Sequence, residues 1–340
     1  MDFTPTADQE LLCATARTLL ANECPPSVVR AHIDDPSASD ALSAHLREFA
    51  GLAGGPATDL CLFVDETGYA AVPGPFFATT VLFTPLLGAL DHELAPAALH
   101  GEITGTVAVA GNDGIWRPND ELVKTFVPEA DRIDYVAVVT GAPAVALVEA
   151  SALPIRRVEM LDASRRMFEV DTSSLAASGT PIAPDECDAW LALATTALAA
   201  EIVGTARRLF DMTLAYAKER YQFDVPIGSF QAIQHKLADM SLDIERAASA
   251  VQYAAMALVA GDAERFRAAH VAKAAAGTAA MRAVKDSIQI HGGIGYTWEH
   301  DLHLFLRRAV ASEHWMGASD WHHDRLAEFL LGQSGTALTS

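Results

Sequence analysis

The chain has 340 residues, 51% of them hydrophobic, and a formal net charge of −20. That length admits two or three domains around a large buried core, and the acid excess excludes a general binder of nucleic acid or anionic membrane, since neutralising phosphates needs a basic face. Cys13, Cys24, Cys61 and Cys187 lack metal-ligand spacing, the sequence opens without a charged-then-apolar secretory pattern, and no run of about 18 apolar residues marks a membrane span, so a reducing cytoplasm is the expected setting.

From residue 1 to 98 the pattern is helical. Thr6 can cap a first helix whose opening turn carries Asp8 and Glu10, favourable at the positive end of the helix dipole, and Leu11, Leu12, Ala16 and Leu19 supply its apolar side. Pro25-Pro26 interrupts that pattern, Asp34 to Ser39 reads as a loop, and Gly51 to Gly55 is a second break. Between residues 99 and 183 the pattern turns extended: Thr106 to Ala110, Tyr135 to Val139 and Ala144 to Val148 are short β-branched runs bounded by Gly, Pro and Asp, which predicts a small middle β-domain. Long helical stripes return from residue 184 to 334. Leu198, Ile202, Leu209, Met212 and Tyr216 mark one helix, and Ile233, Leu237, Met240, Ile244, Val251 and Leu258 the next. The alanine-crowded stretch Ala268 to Ala283 leads into a third that Gly292-Gly293 ends, and Ala309 to Leu331 reads as a fourth, which makes a four-helix bundle. The expected fold is α+β and mainly α: an N-terminal helical domain, a middle β-domain and a C-terminal four-helix bundle.

The first two bundle helices meet at a short connector, where one helix ends near Arg220, Pro226 and Gly228 break the chain, and Ser229 can cap the next helix. An arginine at such a place offers a fixed fork of donors suited to a phosphate or carboxylate. The plain alternative is a helical hairpin with a surface arginine. The run Arg220-x-Gln222-Phe223, followed by Pro226-Ile227 and Phe230-Gln231, together with Gln289-Ile290-His291-Gly292-Gly293 further on, resembles two ordered C-terminal signatures of the acyl-CoA dehydrogenase family. The opening helix and the stretch Phe63 to Phe77 are similar to that family too, especially to its actinobacterial branch. The resemblance implies FAD as cofactor, an acyl-CoA thioester as substrate, and electron-transfer flavoprotein or a similar acceptor. It sets Arg220, Gln222, Phe223, Ile227, Phe230, Ile233, Gln289, Gly292 and Gly293 against the pyrophosphate and adenosine of FAD bound in a neighbouring subunit.

Members of that family take a proton from the carbon beside the thioester with a glutamate while the flavin accepts the hydride. At the two family positions for that glutamate this sequence has Met316, within Trp315-Met316-Gly317-Ala318, and Ala194. Neither accepts a proton. Glu201 stands seven residues after Ala194, on nearly the same helix face but about 10 Å along the axis; it is open as a relocated base or as a solvated or interface carboxylate. The family's loop around the flavin ring is replaced by Ala110 to Trp116, where Trp116 can stack on a ring system or simply pack, and Ala318 and Asp320 replace a threonine and a glutamine used near the flavin. The chain is thus similar to the base-lacking subunit of heteromeric α2β2 members, many of them in steroid breakdown, with a homologous chain carrying the glutamate. A self-sufficient homomeric flavoenzyme with a relocated base and a non-catalytic scaffold or binding protein are the other readings.

His314, His322 and His323 lie close together, and His291 and His300 flank the glycine break, but none has the spacing of a zinc site, so no metal is expected. Gly292-Gly293-Ile294-Gly295 follows no strand and is not a dinucleotide fingerprint; it reads as helix termination with close approach of backbone to a neighbour.

Overall fold

The computed structural model describes residues 3–175 and 179–332. Helices come first: α1 (Ala7–Glu23), α2 (Pro26–Asp34), α3 (Asp40–Arg47), α4 (Ala57–Ala70), α5 (Thr84–Ala89) and α6 (Ala95–Leu99). Strands follow: β1 (Gly105–Ala108), β2 (Val123–Pro128), β3 (Tyr135–Val139), β4 (Ala144–Glu149), β5 (Ile155–Val158), β6 (Met167–Asp171) and β7 (Thr180–Pro181). The chain closes with α7 (Pro184–Glu219), a hairpin of β8 (Tyr221–Gln222) and β9 (Val225–Pro226), then α8 (Gln231–Val259), α9 (Arg265–His291), α10 (Leu302–His314) and α11 (Ser319–Leu331). The fold is mainly helical with small sheets, as expected; the boundary at 334 lies outside the described residues.

Local signals explain the helix starts. Thr6 caps α1 and exchanges bonds with Gln9 in a reciprocal box, which satisfies two orphan amides. Pro26 opens α2, because a missing N–H costs nothing at a first helical position. Leu11 does not join the apolar side of α1: it is exposed, while Ala16 and Leu20 are buried. The loop and break expected before α4 each hold a short 3-10 turn, Pro36–Ser39 and Ala50–Gly54. Ahead of α5, Phe77–Phe83 forms a wide π-turn whose side chains are all buried.

The strands make two sheets. One has the order β1-β3-β4-β7, with β1 parallel to β3 and the other pairs antiparallel; the other is β2-β6-β5 and antiparallel. A small core of Val127, Val136, Val138, Phe168 and Val170 is separate from the large helical core.

Helix α7 is the axis of the molecule. By length and composition it is long and apolar enough to cross a membrane, yet 89% of its most apolar stretch is buried inside the fold. Two glycines bring α4 against it without intervening side chains: a Cβ on Gly68 would strike the backbone of Glu201, and one on Gly204 would strike the backbone of Asp65. The expected continuous last helix from Ala309 to Leu331 is corrected: α10 starts at Leu302, and the chain breaks between His314 and Ser319, because Met316 and Gly317 take positive φ of 60° and 96°.

Candidate functional site

The connector Trp315 to Ala318 is shaped by groups outside it. Buried Lys273, on α9, donates to the carbonyls of Glu313 (2.7 Å) and Gly317 (2.8 Å), which ties the end of α10 to the turn. The Met316 carbonyl accepts from His322 Nε2 at 3.1 Å. His322 Nδ1 must then be the bare nitrogen and accepts from His270 Nδ1 at 2.8 Å, which leaves His270 Nε2 bare and unpartnered in the core. Burial keeps this relay neutral: the His270 imidazole is pulled down to about 4, and burial lowers His322 well below its ordinary value. Burial also pulls the Lys273 ammonium down to about 7, against the pull of Glu313. Glu313 Oε1 in turn accepts from the Ser319 amide at 2.8 Å, at the start of α11.

Two stretches singled out in the sequence meet at one cavity of about 210 Å³: Asp113 and Gly114 from the loop after β1, and Trp315 from the connector. Phe126 of β2 and Arg165, from the loop between β5 and β6, complete its wall. Its neighbourhood is filled with aromatic rings. Trp315 packs on Phe77 at 5.4 Å and edge-on to Trp116 at 5.6 Å, Trp116 packs on Trp190, and Trp190 donates to the Leu82 carbonyl. Trp116 is therefore a packing residue. The Arg165 guanidinium lies over both Phe77 (5.2 Å) and Trp315 (4.9 Å). Met316 is 3% exposed, and Ala194 is buried in the helical core.

Glu201 is neither solvated nor at an outer surface, which overturns that expectation. It is 1% exposed, and its Oε1 accepts from Arg165 Nη2 and from Arg308 Nη1, the latter at 2.9 Å. Arg308 also bonds Asp162, the Ser164 hydroxyl (2.9 Å) and the Val72 carbonyl (3.2 Å), while Arg165 donates to the Ser312 hydroxyl at 3.3 Å. Burial alone would raise the Asp162 carboxyl, but the Arg308 charge overrides it and holds the group below its ordinary value. Burial opposes the Arg308 charge, and Asp162 and Glu201 together outweigh it and push that guanidinium up. A base must reach its proton; this carboxylate oxygen is spent on two guanidinium groups. Arg165, Arg308, Asp162, Lys273 and His322 were not foreseen as site residues. A readable signal was an arginine in apolar register, since Arg308 follows Leu304 and Phe305 on a buried face of α10.

The other candidate residues gather at one end of the bundle. Helix α7 stops at Glu219, and the hairpin turns on Phe223 and Asp224, both with positive φ (53° and 65°), the geometry of a tight two-residue turn. The connector thus carries a hairpin that composition did not reveal. Phe230, not Ser229, is the N-cap of α8, and the Ser229 hydroxyl donates to the Pro226 carbonyl instead. Because α7 and α9 run the same way, their last turns touch: Tyr216 stacks on His291 with centroids 4.4 Å apart, and the Thr213 and Ser287 hydroxyls bond at 2.8 Å. This brings Arg220, Gln222, Phe223 and Phe230 to the same end as Gln289, Gly292 and Gly293, all exposed, with Ile227 and Ile233 half-buried beneath. Phe223 is 87% exposed. Arg220 has no side-chain hydrogen bond or ion pair among the described residues. The expected close approach of Gly292 and Gly293 to a neighbour does not occur within the chain: no atom lies within 4 Å of a Cβ placed on either. Among the described residues no group of three His, Cys, Asp or Glu could hold a metal ion.

Over 327 residues the sequence is 32% identical to acyl-CoA dehydrogenase IpdE2 of Mycobacterium tuberculosis, covering 91% of this chain and 93% of that protein. The chain belongs to the acyl-CoA dehydrogenase family. Its residues 189–331 match the profile of the acyl-CoA dehydrogenase C-terminal domain, and it is 38% identical to part of acyl-CoA dehydrogenase FadE34 of the same organism, over 80% of this chain and 38% of that one. Among solved structures it is similar to the ChsE4-ChsE5 complex from Mycobacterium tuberculosis, with TM-score 0.83 and 22% identity over 99% of this chain and 100% of that one. It is also similar to the Tcur3481-Tcur3483 steroid ACAD, with TM-score 0.82 and 25% identity over 97% and 99%. The family is one of FAD-dependent oxidoreductases, and a glutaryl-CoA dehydrogenase of the same fold was solved with FADH2. The two ends of this acyl-CoA dehydrogenase chain fit such a cofactor unequally. An unpaired arginine beside glycines that open onto free space suits a pyrophosphate, whereas the cavity at the connector is walled by tryptophans and by charges already paired.

Proposed function

We propose that this chain is the subunit of a heteromeric FAD-dependent acyl-CoA dehydrogenase that contributes the pyrophosphate and adenosine contacts, while a homologous partner carries the catalytic glutamate and grips the flavin ring. The observation that carries the reading is the split between the two ends. At the connector, Met316 and Ala194 are buried apolar residues where a carboxylate is required, and Glu201 is held by two arginines. At the far end of the bundle the arm is exposed and unpaired.

In this reading Arg220 donates its fork of N–H groups to the pyrophosphate, and Gln222 and Gln289 offer amides beside it. Gly292 and Gly293 let backbone approach the cofactor, and Phe223, Ile227, Phe230 and Ile233 bury apolar surface against the partner and the adenosine. FAD, when bound, supplies the hydride acceptor for α,β-dehydrogenation of an acyl-CoA. The relatives' names favour a steroid-derived acyl group, a cytoplasmic setting follows from the free cysteines, and electron-transfer flavoprotein or a similar acceptor would take the electrons.

The test is to purify the chain by itself and with a homologous chain that carries the glutamate, and to measure bound flavin and acyl-CoA oxidation with an artificial acceptor. The expected result is a colourless, inactive lone chain and a yellow, active complex whose turnover disappears when the partner's glutamate becomes glutamine. Turnover by the lone chain at the rate of the complex would overturn the proposal.

A further inference from the structure

We propose that the buried ion chain Asp162–Arg308–Glu201–Arg165 is a latch that docks the sheets on the helices without flavin, so that this subunit is complete and presents its arm before any cofactor is bound. The inference rests on the reading that the partner grips the flavin ring, and it adds an order of assembly.

The latch joins three parts of the chain that are distant in sequence: the loop between β5 and β6, the middle of α7, and α10. Its charges alternate in sign and sum to zero. Both ends are closed as well. Asp162 accepts from the Ser164 amide at 2.9 Å and from its hydroxyl, and Arg165 ends on the Ser312 hydroxyl between the faces of Phe77 and Trp315. A buried network whose members are all satisfied specifies one arrangement of the elements that carry it, and removing one member strands the others. Here every charge finds its counter-charge within the chain, leaving only Glu201 Oε2 without a partner among the described residues. No ligand is needed to complete it. The sheets have a small core of their own, apart from the helical core, so their orientation on the helices needs such a joint.

Hydrogen exchange of the flavin-stripped chain, read by mass spectrometry, tests this. Peptides over residues 159–171 and over α10 should be protected without flavin, and excess FAD should leave their rates unchanged. Asp162→Asn and Arg165→Met should each speed exchange in the 159–171 peptides by about tenfold or more, while α8 and α9 peptides stay slow as an internal control of folding. If α8 and α9 also open in those variants, Ser164→Ala, which removes only the hydroxyl bonds to Asp162 and Arg308, is the deciding variant and should loosen the same loop selectively. Free-peptide exchange rates over 159–171 in the flavin-stripped wild type, slowed only by added FAD, would overturn the latch, as would variants with unchanged rates. A lone chain that proved yellow and active would instead sink the partner-subunit reading, which the exchange of the stripped protein does not measure.

Discussion

Glutamine at position 201 separates a structural carboxylate from a relocated base. In the wild type a single oxygen, Glu201 Oε1, receives both Arg165 and Arg308, and Glu201 and Arg308 are each within a few per cent of complete burial. Glutamine keeps the shape but removes the charge, so the two guanidinium groups are left with Asp162 as their one carboxylate partner in the network. Removing one partner of a buried pair costs about 3–5 kcal/mol, because the remaining charge stays desolvated. With a urea slope of about 3 kcal/mol per molar, reasonable for a chain of this size, the unfolding midpoint of the flavin-free protein should fall by about 1 to 1.7 M. Urea denaturation followed by circular dichroism measures this, and turnover per folded complex, assayed with the partner present below the variant's transition, should hold. Loss of a general base has the opposite signature: stability within about 0.5 kcal/mol of wild type and a rate lower by about 10²- to 10⁴-fold. That outcome would refute the structural assignment of Glu201 and restore it as the base.

Arg220→Ala in the assembled protein should weaken FAD binding by about 30- to 1000-fold, equivalent to about 2–4 kcal/mol for a charge-assisted contact, with no change in the unfolding midpoint of the lone chain; undiminished flavin content contradicts it. Lys273 gives a pH signature: its folded value of about 7 lies below the ordinary 10.5, so between those values the unfolded chain holds a proton that the folded chain lacks. Stability should therefore rise with pH across that window, by at most about 1.4 kcal/mol per pH unit, and Lys273→Met should remove the slope when urea midpoints are compared from neutral to alkaline pH. Gly204→Ala should lower the melting temperature sharply, with a cost of at least about 3 kcal/mol, because its Cβ meets the Asp65 carbonyl and forces α4 off α7; a melting temperature within a degree or two of wild type would show that the two helices can part.

The bundle was readable because α7, α8 and α9 carry long apolar stripes at helical spacing, and the arm because two short motifs stand in fixed order. Their meeting was not, since it depends on α7 and α9 running parallel, which brings Tyr216 onto His291. Strands β2, β5 and β6 escaped notice for local reasons. Strand β5 has two arginines in four residues, and β2 is interrupted by an irregular register between Lys124 and Val127, where Phe126 takes φ of 51°. The break between α10 and α11 has one glycine as its sequence signal; the positive φ of Met316 beside it comes with contacts from α9 and α11 that no local pattern encodes. Glu201 was misjudged because a lone glutamate in an apolar helix is ordinarily turned to water, and its nearest charges come from residues 165 and 308, one from a loop and one from another helix.

The connector at Met316 is held by its backbone: Lys273 and His322 grip carbonyls of residues 313, 316 and 317, and no side chain of the turn takes part in those bonds. Shape and reactivity at this turn are consequently under separate control. A duplicated copy can exchange a carboxylate for a thioether at position 316 while the helices on either side keep their places, so the loss of chemistry does not carry a loss of fold. Division of labour between two sister chains then requires little invention, because a copy released from catalysis already has a stable body on which its remaining contribution, the arm at the far end of the bundle, can be refined.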